Sequence, residues 1–237
     1  LLISRYSKSE FALGFEAPAL REQALRLAVQ LNLPLSNQVL PRLSLTADKL
    51  VLCLAGFTPL SVDFEEGLRD AQHALIRACK PRSGLRIIDA TAGWGRDAGH
   101  LARFGAEVVM LERDPVMVAL LQDGLRRAPA DLKLSLKAVD AMSFLQNLQP
   151  EDYPDVIYLD PMHPLRQKSA LVKKDLQALQ HFIAPSANNE ALLNLARQRV
   201  RQHVVMKWPR NQTPLGQAHA SIKTKTVCFH FYSRQDG

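Results

Sequence analysis

The sequence predicts an α/β protein built on a mostly parallel, doubly wound sheet, and three observations carry that reading. From Leu85 onward, short apolar runs of strand length alternate with segments of helical period, the pattern left by strand, crossover helix and parallel strand. Three of these runs end on a carboxylate, at Asp89, Glu112 and Asp160, and doubly wound sheets bind ligands beyond the carboxyl ends of their strands. The first of the three runs into a glycine-bearing turn, residues 87–97, reading IIDATAGWGRD.

At 237 residues the chain can bury a full core, either as one large domain or as one domain with a small appendage. Ahead of the alternating region, Leu20, Ala24, Leu25, Leu27, Ala28 and Leu31 repeat at helical spacing, so residues 18–33 read as a helix. Residues 50–55, closed by Gly56, and residues 60–64 read as two strands of a hairpin. These pieces give a small N-terminal α/β unit over residues 1–64, with the main domain over residues 65–237. Leu68, Ala71, Ala74, Leu75 and Ala78 then stripe a helix that ends near Cys79, before Pro81, Ser83 and Gly84 turn the chain.

Strands follow at residues 85–89, 107–112, 134–139 and 156–159, separated by helices at 96–104, 115–127 and 141–148. A helix over 190–202 leads to a strand at 203–207 and a final strand at 226–232. No long helix separates that last pair. Pro209, Pro214 and Gly216 mark a loop instead, so the two strands form a hairpin and the last one runs antiparallel to the others.

The balance of 30 basic and 23 acidic residues gives a net charge of +7, and its placement says more than its size. Arg166, Lys168, Lys173 and Lys174 fall within nine residues, Lys207 and Arg210 follow a later strand, and Lys223 and Lys225 precede the last. Recurrence after strand ends favours nucleic acid over a uniformly solvated face, with acidic small ligands still open. Cys53, Cys79 and Cys228 form no CxxC pair and leave an odd count, which points to reduced thiols and away from structural zinc. No stretch approaches the ~18 to 20 apolar residues of a membrane span, and residues 1–9 lack a signal peptide's apolar core. A soluble, cytoplasmic protein without metal is the expectation.

In the glycine turn, Gly93 and Gly95 let a ligand approach backbone that carries no Cβ, and both tolerate positive φ. The helix that follows offers unsatisfied N–H donors. Glu112 ends the next strand nineteen residues after Gly93, where a carboxylate can accept bonds from both hydroxyls of a ribose. A lone GxG also fits an ordinary strand-to-helix turn; Asp89 before it, Asp97 after it and Glu112 in phase weigh against that reading. The third glycine of the dinucleotide fingerprint is missing, and Asp97 stands where a pyrophosphate needs donors. A cationic nucleoside such as S-adenosylmethionine therefore suits the turn better than NAD. Asp140, at the end of the third strand, either meets an adenine amino group or caps the helix beginning at Ala141.

The second motif is Asp160-Pro161-Met162-His163-Pro164, delivered by an apolar strand into the basic stretch of residues 166–174. An exocyclic amine conjugated to a base is a poor nucleophile until its protons are held. Asp160 and the Pro161 carbonyl can accept those protons, favouring a pyramidal nitrogen and the charge that grows on attack. His163 stacks on the base, titrates near neutrality, or faces solvent as a plain turn residue. Met162 reads as apolar wall.

The segments DATAGWGRD, MLERDPVMVALLQDGL and VIYLDPMHPLRQKSALVKKD, with VVMKWP further on, together resemble the RsmJ-type guanine-N2 methyltransferases of small-subunit ribosomal RNA. The resemblance runs closely over residues 85–174 and more loosely through the last strand. It implies a Rossmann-like class I S-adenosylmethionine-dependent methyltransferase fold, with a mostly parallel seven-stranded sheet and an antiparallel last strand. It also implies methylation of one guanine in 16S ribosomal RNA, as naked RNA or in the small subunit. By that resemblance Arg96, Asp97, Glu112, Arg113, Asp140 and Ala141 contact the methyl donor, and Asp160 is the motif aspartate, at both the donor and the amine. The glycine turn adds Asp89, Gly93 and Gly95 to the donor's side, and charge placement gives Arg166, Lys168, Lys173, Lys174 and Lys207 to the RNA. His163 stands where the family usually carries phenylalanine. The family's basic, glycine-rich segment is missing after Asp63-Phe64, where this chain reads Glu65-Glu66-Gly67.

Other readings stay open at this point. They are a methyltransferase acting on another amine (adenine N6 or a protein), an NAD-dependent oxidoreductase, and a non-catalytic RNA-binding assembly factor. Trp208, beside Lys207, is a stacking candidate or an ordinary sheet-end residue.

Overall fold

Two units make up the described chain, residues 10–65, 73–161 and 188–235 of the computed structural model. The first takes in residues 10–63 together with Pro115–Arg126. Its sheet has the order β1 (Ala12–Phe15), β2 (Arg42–Leu45), β3 (Leu50–Cys53). The β1–β2 pair is parallel, so it needs a crossover, which α1 (Arg21–Leu31) supplies. Ala24, Ala28 and Leu31 form the buried stripe of α1, and Asn32 ends it in the left-handed region at φ 52°. Within this unit the Asp123 carboxylate accepts the Leu50 N–H at 3.0 Å.

The sequence reading missed β1 and β2, because four-residue segments such as Ala12–Phe15, with burial unbroken over its first three residues, show no alternation. The strand predicted over residues 60–64 reduces to one antiparallel bridge, with Leu60 and Leu52 exchanging N–H bonds at 2.7 and 2.9 Å. Beyond it the chain leaves the sheet, and the Phe64 ring instead lies close against Gly99.

The second unit is built on a seven-stranded sheet. Its strands are β4 (Arg86–Asp89), β5 (Glu107–Glu112), β6 (Leu134–Ala138), β7 (Val156–Leu159), β8 (His203–Pro209), β9 (Ala220–Lys223) and β10 (Val227–Ser233). They lie in the order β6-β5-β4-β7-β8-β10-β9. Neighbours from β6 to β8 pair in parallel, and β10 runs antiparallel to both β8 and β9. The strand β9 escaped sequence reading because ASIK is an exposed edge with no apolar run.

Helices α2 (Ala74–Cys79) and α3 (Arg96–Arg103) pack on one face of this sheet, and α5 (Ala141–Asn147) and α6 (Asn189–Gln198) on the other; α4 is Pro115–Arg127. The second face is sealed by Leu145, Leu192, Leu193 and Ala196 against Ile88, Ile157, Leu159, Val204 and Met206. Each such leucine removed from water contributes about 1.5 to 3 kcal/mol. Because both faces are covered, β7 is buried at all four positions and reads as the continuous run VIYL. The chain moves outward in both directions from β4, so the order reverses between β4 and β7. That switch point opens a crevice at the carboxyl ends of the strands. Among the described residues no helix is long and apolar enough to cross a membrane.

Candidate active site

Four strands of the second unit deliver carboxylates to the carboxyl edge of the sheet. At the end of β4, Asp89 is 1% exposed, and its Oδ1 accepts the Thr91 N–H at 3.1 Å. Burial pushes this carboxyl up to about 8, against the Thr91 N–H, so it holds its proton at neutral pH. The turn that follows needs glycine at two points: Gly93 has φ 51°, and Gly95, the N-cap of α3, has φ 74°.

Glu112, at the end of β5, fastens this turn to its own loop. One oxygen accepts the Gly93 N–H at 3.2 Å, and the other accepts the Arg113 and Asp114 N–H groups at 2.8 Å each. Burial raises its carboxyl above the ordinary range despite those three donors. Beyond β6, Asp140 caps α5 by accepting the Ser143 N–H at 3.1 Å, and its second oxygen meets the Arg113 guanidinium at 3.3 Å. Capping, one of the two sequence readings of Asp140, is therefore what its first oxygen does. Ala141 opens α5 half-buried, and Arg96 opens α3 exposed.

Asp160 follows β7 at the switch point. Its N–H donates to Thr91 Oγ1 at 2.6 Å, so one threonine bridges the β4 and β7 ends. Parallel pairing sets Leu159 opposite Met206, which brings Lys207 of β8 level with Asp160. Lys207 Nζ donates to Asp160 Oδ2 at 2.7 Å and to Asp97 Oδ2, in the first turn of α3, at 3.0 Å. Tyr158 lies two residues before Asp160, hence on the same face of the strand, and its hydroxyl donates to Asp97 Oδ2 at 2.6 Å.

These contacts set the charges. Burial pushes Asp97 up, but the Lys207 charge and the bonds from Tyr158 and Lys207 outweigh it, and the net shift is down. For Asp160 burial prevails, so its carboxyl sits above the ordinary range although Lys207 pulls it down. Burial lowers Lys207, the two carboxylates more than reverse that, and its ammonium stays protonated. Lys207 thus holds Asp97 toward its charged form and works against burial at Asp160, beside a neutral Asp89.

Lys207, expected at RNA phosphates, lies instead between two carboxylates, those of Asp97 and Asp160. Trp208 is a core residue, with its indole N–H donated to the Thr213 carbonyl at 3.0 Å, and does not present a stacking face. Pro161 is buried directly after Asp160. His163, Met162, Pro164, Arg166, Lys168, Lys173 and Lys174 lie outside the described residues. Tyr158 and Thr91 were missed; their signals were the period-2 spacing from Asp160 and membership of the glycine turn.

The edge fits a ligand of positive charge. A carboxylate in the first turn of α3 opposes a pyrophosphate at the helix N-terminus, whereas Glu112, Asp140 and Asp160 offer acceptors to ammonium, sulfonium, hydroxyl and amine groups. This fold and this acceptor set define a class I S-adenosylmethionine-dependent methyltransferase.

A family model described as "Putative SAM-dependent methyltransferase" matches residues 26–234. Ribosomal RNA small subunit methyltransferase J of Legionella pneumophila is 50% identical, over 94% of this chain and 96% of its own length. The protein of the same name from Coxiella burnetii is 38% identical over 86% and 88%. The crystal structure of a SAM-dependent methyltransferase from Neisseria gonorrhoeae superposes with a TM-score of 0.65 at 26% identity, covering 94% of this chain and 96% of that one. The chain belongs to the ribosomal RNA small subunit methyltransferase J family and uses S-adenosylmethionine.

Proposed function

We propose that this protein methylates the exocyclic N2 of one guanine in 16S ribosomal RNA, guanine 1516. The observation that carries the reading is Asp160 at the switch point, its backbone N–H donated to the Thr91 hydroxyl and its carboxylate Oδ2 held by Lys207. With Oδ2 fixed, Oδ1 is left to accept a proton of the target amine, and the Pro161 carbonyl accepts the other. The printed names of the relatives supply the substrate class, small-subunit ribosomal RNA.

S-adenosylmethionine, when bound, would supply a sulfonium methyl as electrophile, with a neutral thioether as the leaving group. Glu112 would receive the ribose hydroxyls, the glycine turn at Gly93 and Gly95 would admit the donor close to backbone, and Asp140 would meet the adenine. Arg96, Arg113 and Ala141 line the same edge, and neutral Asp89 supports the turn from below without adding charge. Asp97 has a changed part in this reading: its Oδ2 is occupied by Tyr158 and Lys207, so it anchors Lys207. Asp160 orients the amine and takes the proton that the methylated nitrogen sheds. His163 meets the base, and Arg166, Lys168, Lys173 and Lys174 hold its strand.

The test is transfer of tritiated methyl to small ribosomal subunits that lack the modification, run beside calorimetric titration of the protein with S-adenosylmethionine and with NAD. Label in RNA and binding of S-adenosylmethionine alone are the expected results. Binding of NAD without S-adenosylmethionine, or no label in RNA, would end the reading.

A further inference from the structure

Charge is unevenly distributed along the carboxyl edge of the sheet. On the β6-β5-β4-β7 side stand Asp140, Glu112, Asp89 and Asp160, with Arg96 and Arg113 beside them and Arg113 paired to Asp140. On the β8-β10-β9 side the sign is opposite: residues 191–235 contain eight Lys or Arg and no Asp or Glu. Lys207 is consumed by Asp97 and Asp160. Arg197, Arg199 and Arg201 donate to the carbonyls of Ser233, Leu145 and Glu151, at or behind the amino edge where β8 begins and β10 ends. Arg234 follows the end of β10 at that same amino edge, so Arg210, Lys223 and Lys225 are the ones left for the carboxyl edge.

Topology puts them there. Because β10 is antiparallel to β8, its first residue, Val227, lies beside Pro209 at the end of β8. Lys223, the last residue of β9, pairs with Cys228 on the same edge, and Lys225 sits in the turn between those strands. Arg210 is fastened to that turn at two points, by its N–H to the Thr226 carbonyl at 3.1 Å and by its guanidinium to the Thr224 carbonyl at 3.0 Å. All three side chains are exposed, and among the described residues none pairs with a carboxylate. The strand β9 is three strand spacings from β7, about 14 Å, which a short run of nucleotides spans.

We infer that Arg210, Lys223 and Lys225 form a phosphate-holding rail for the RNA strand that carries the target base, continuing from Asp160 along β8, β10 and β9. The inference rests on the methyltransferase reading above and adds the surface that grips the substrate. The acidic half of the edge suits the cationic methyl donor, the basic half suits the polyanion, and Asp160 lies where the two meet. Phosphate contacts of this kind fix position and contribute affinity without reading sequence.

The double variant Lys223→Glu/Lys225→Glu tests it in the full chain, with small ribosomal subunits lacking the modification as substrate. Both residues are exposed, so S-adenosylmethionine binding by calorimetry should match wild type and report an intact fold and donor site. The expected result is a KM for subunits raised roughly tenfold with kcat nearly unchanged, and a salt slope of log affinity shallower by about 1.4 or more. Wild-type KM and wild-type salt slope in the variant would overturn the rail. If wild type itself puts no label into RNA, the methyltransferase reading fails instead. Binding of wild type to phosphatidylserine vesicles, lost in the variant while RNA affinity is unchanged, would also overturn the rail by assigning it to a membrane surface.

Discussion

Lys207 Nζ lies 2.7 Å from Asp160 Oδ2, and the same ammonium reaches Asp97 at 3.0 Å, so the sheet and helix α3 share one cation at the switch point. Asp160 is shaped by two opposed influences, burial raising its carboxyl and Lys207 lowering it. About a third of its side chain stays exposed, which leaves an oxygen for a substrate. In the proposed function Lys207 is a positioning residue, acting on the reaction through Asp160.

Removing the cation should move the pH profile. In Lys207→Met the opposing charge is gone, burial acts alone, and the acid limb of kcat shifts to higher pH by about 1 to 3 units. Lys207→Arg should retain most of the wild-type profile. A purely structural lysine would lower kcat evenly at all pH values, and an unshifted acid limb in the methionine variant would exclude the positioning role.

Asp89 gives a stability prediction of definite sign. Its folded value of about 8 lies above the ordinary carboxylate range, chiefly through burial, so the folded chain keeps a proton that the unfolded chain has released. Its stabilising share is full below about pH 4 and is lost as pH rises through 8. Asp89→Asn cannot ionise. Thermal melts across that window should show wild type losing several degrees relative to the variant, and parallel curves would count against a neutral Asp89.

Gly99 of α3 lies under the Phe64 ring, and a Cβ there would come within 2.8 Å of the Phe64 Cδ1 atom. Gly99→Ala gains helix propensity, which in open surroundings stabilises by up to about 1 kcal/mol. Here overpacking should prevail and destabilise by about 1 to 3 kcal/mol. Denaturant midpoints will decide, and Phe64→Leu combined with Gly99→Ala should recover part of the loss.

Much of this site was legible because its parts announce themselves by position. Asp89, Glu112, Asp140 and Asp160 could be found by counting from strand ends, and Gly93 and Gly95 by the backbone freedom they supply. The partner of Lys207 was not legible, since 47 residues separate it from Asp160 and only the register of β7 on β8 brings them level. A lysine after a strand looks the same in sequence whether it faces phosphate or a carboxylate. The two readings of Trp208 could not be separated for a related reason: burial along β8 does not alternate, and only its place in the core beside Leu192, Leu193 and Ala196 shows which way the indole goes. The edge strand β9 carried no signal because burial, the source of apolar periodicity, is absent there.

The central claim is that Asp160 orients a guanine N2 for methylation, and mass analysis of the nucleosides from treated small-subunit RNA tests it most directly. With wild-type protein the account predicts N2-methylguanosine at a single site, and with Asp160→Ala a loss of that product by roughly 100-fold or more while S-adenosylmethionine still binds. Methyl found on adenine or on protein, or an Asp160→Ala variant as active as wild type, would contradict it.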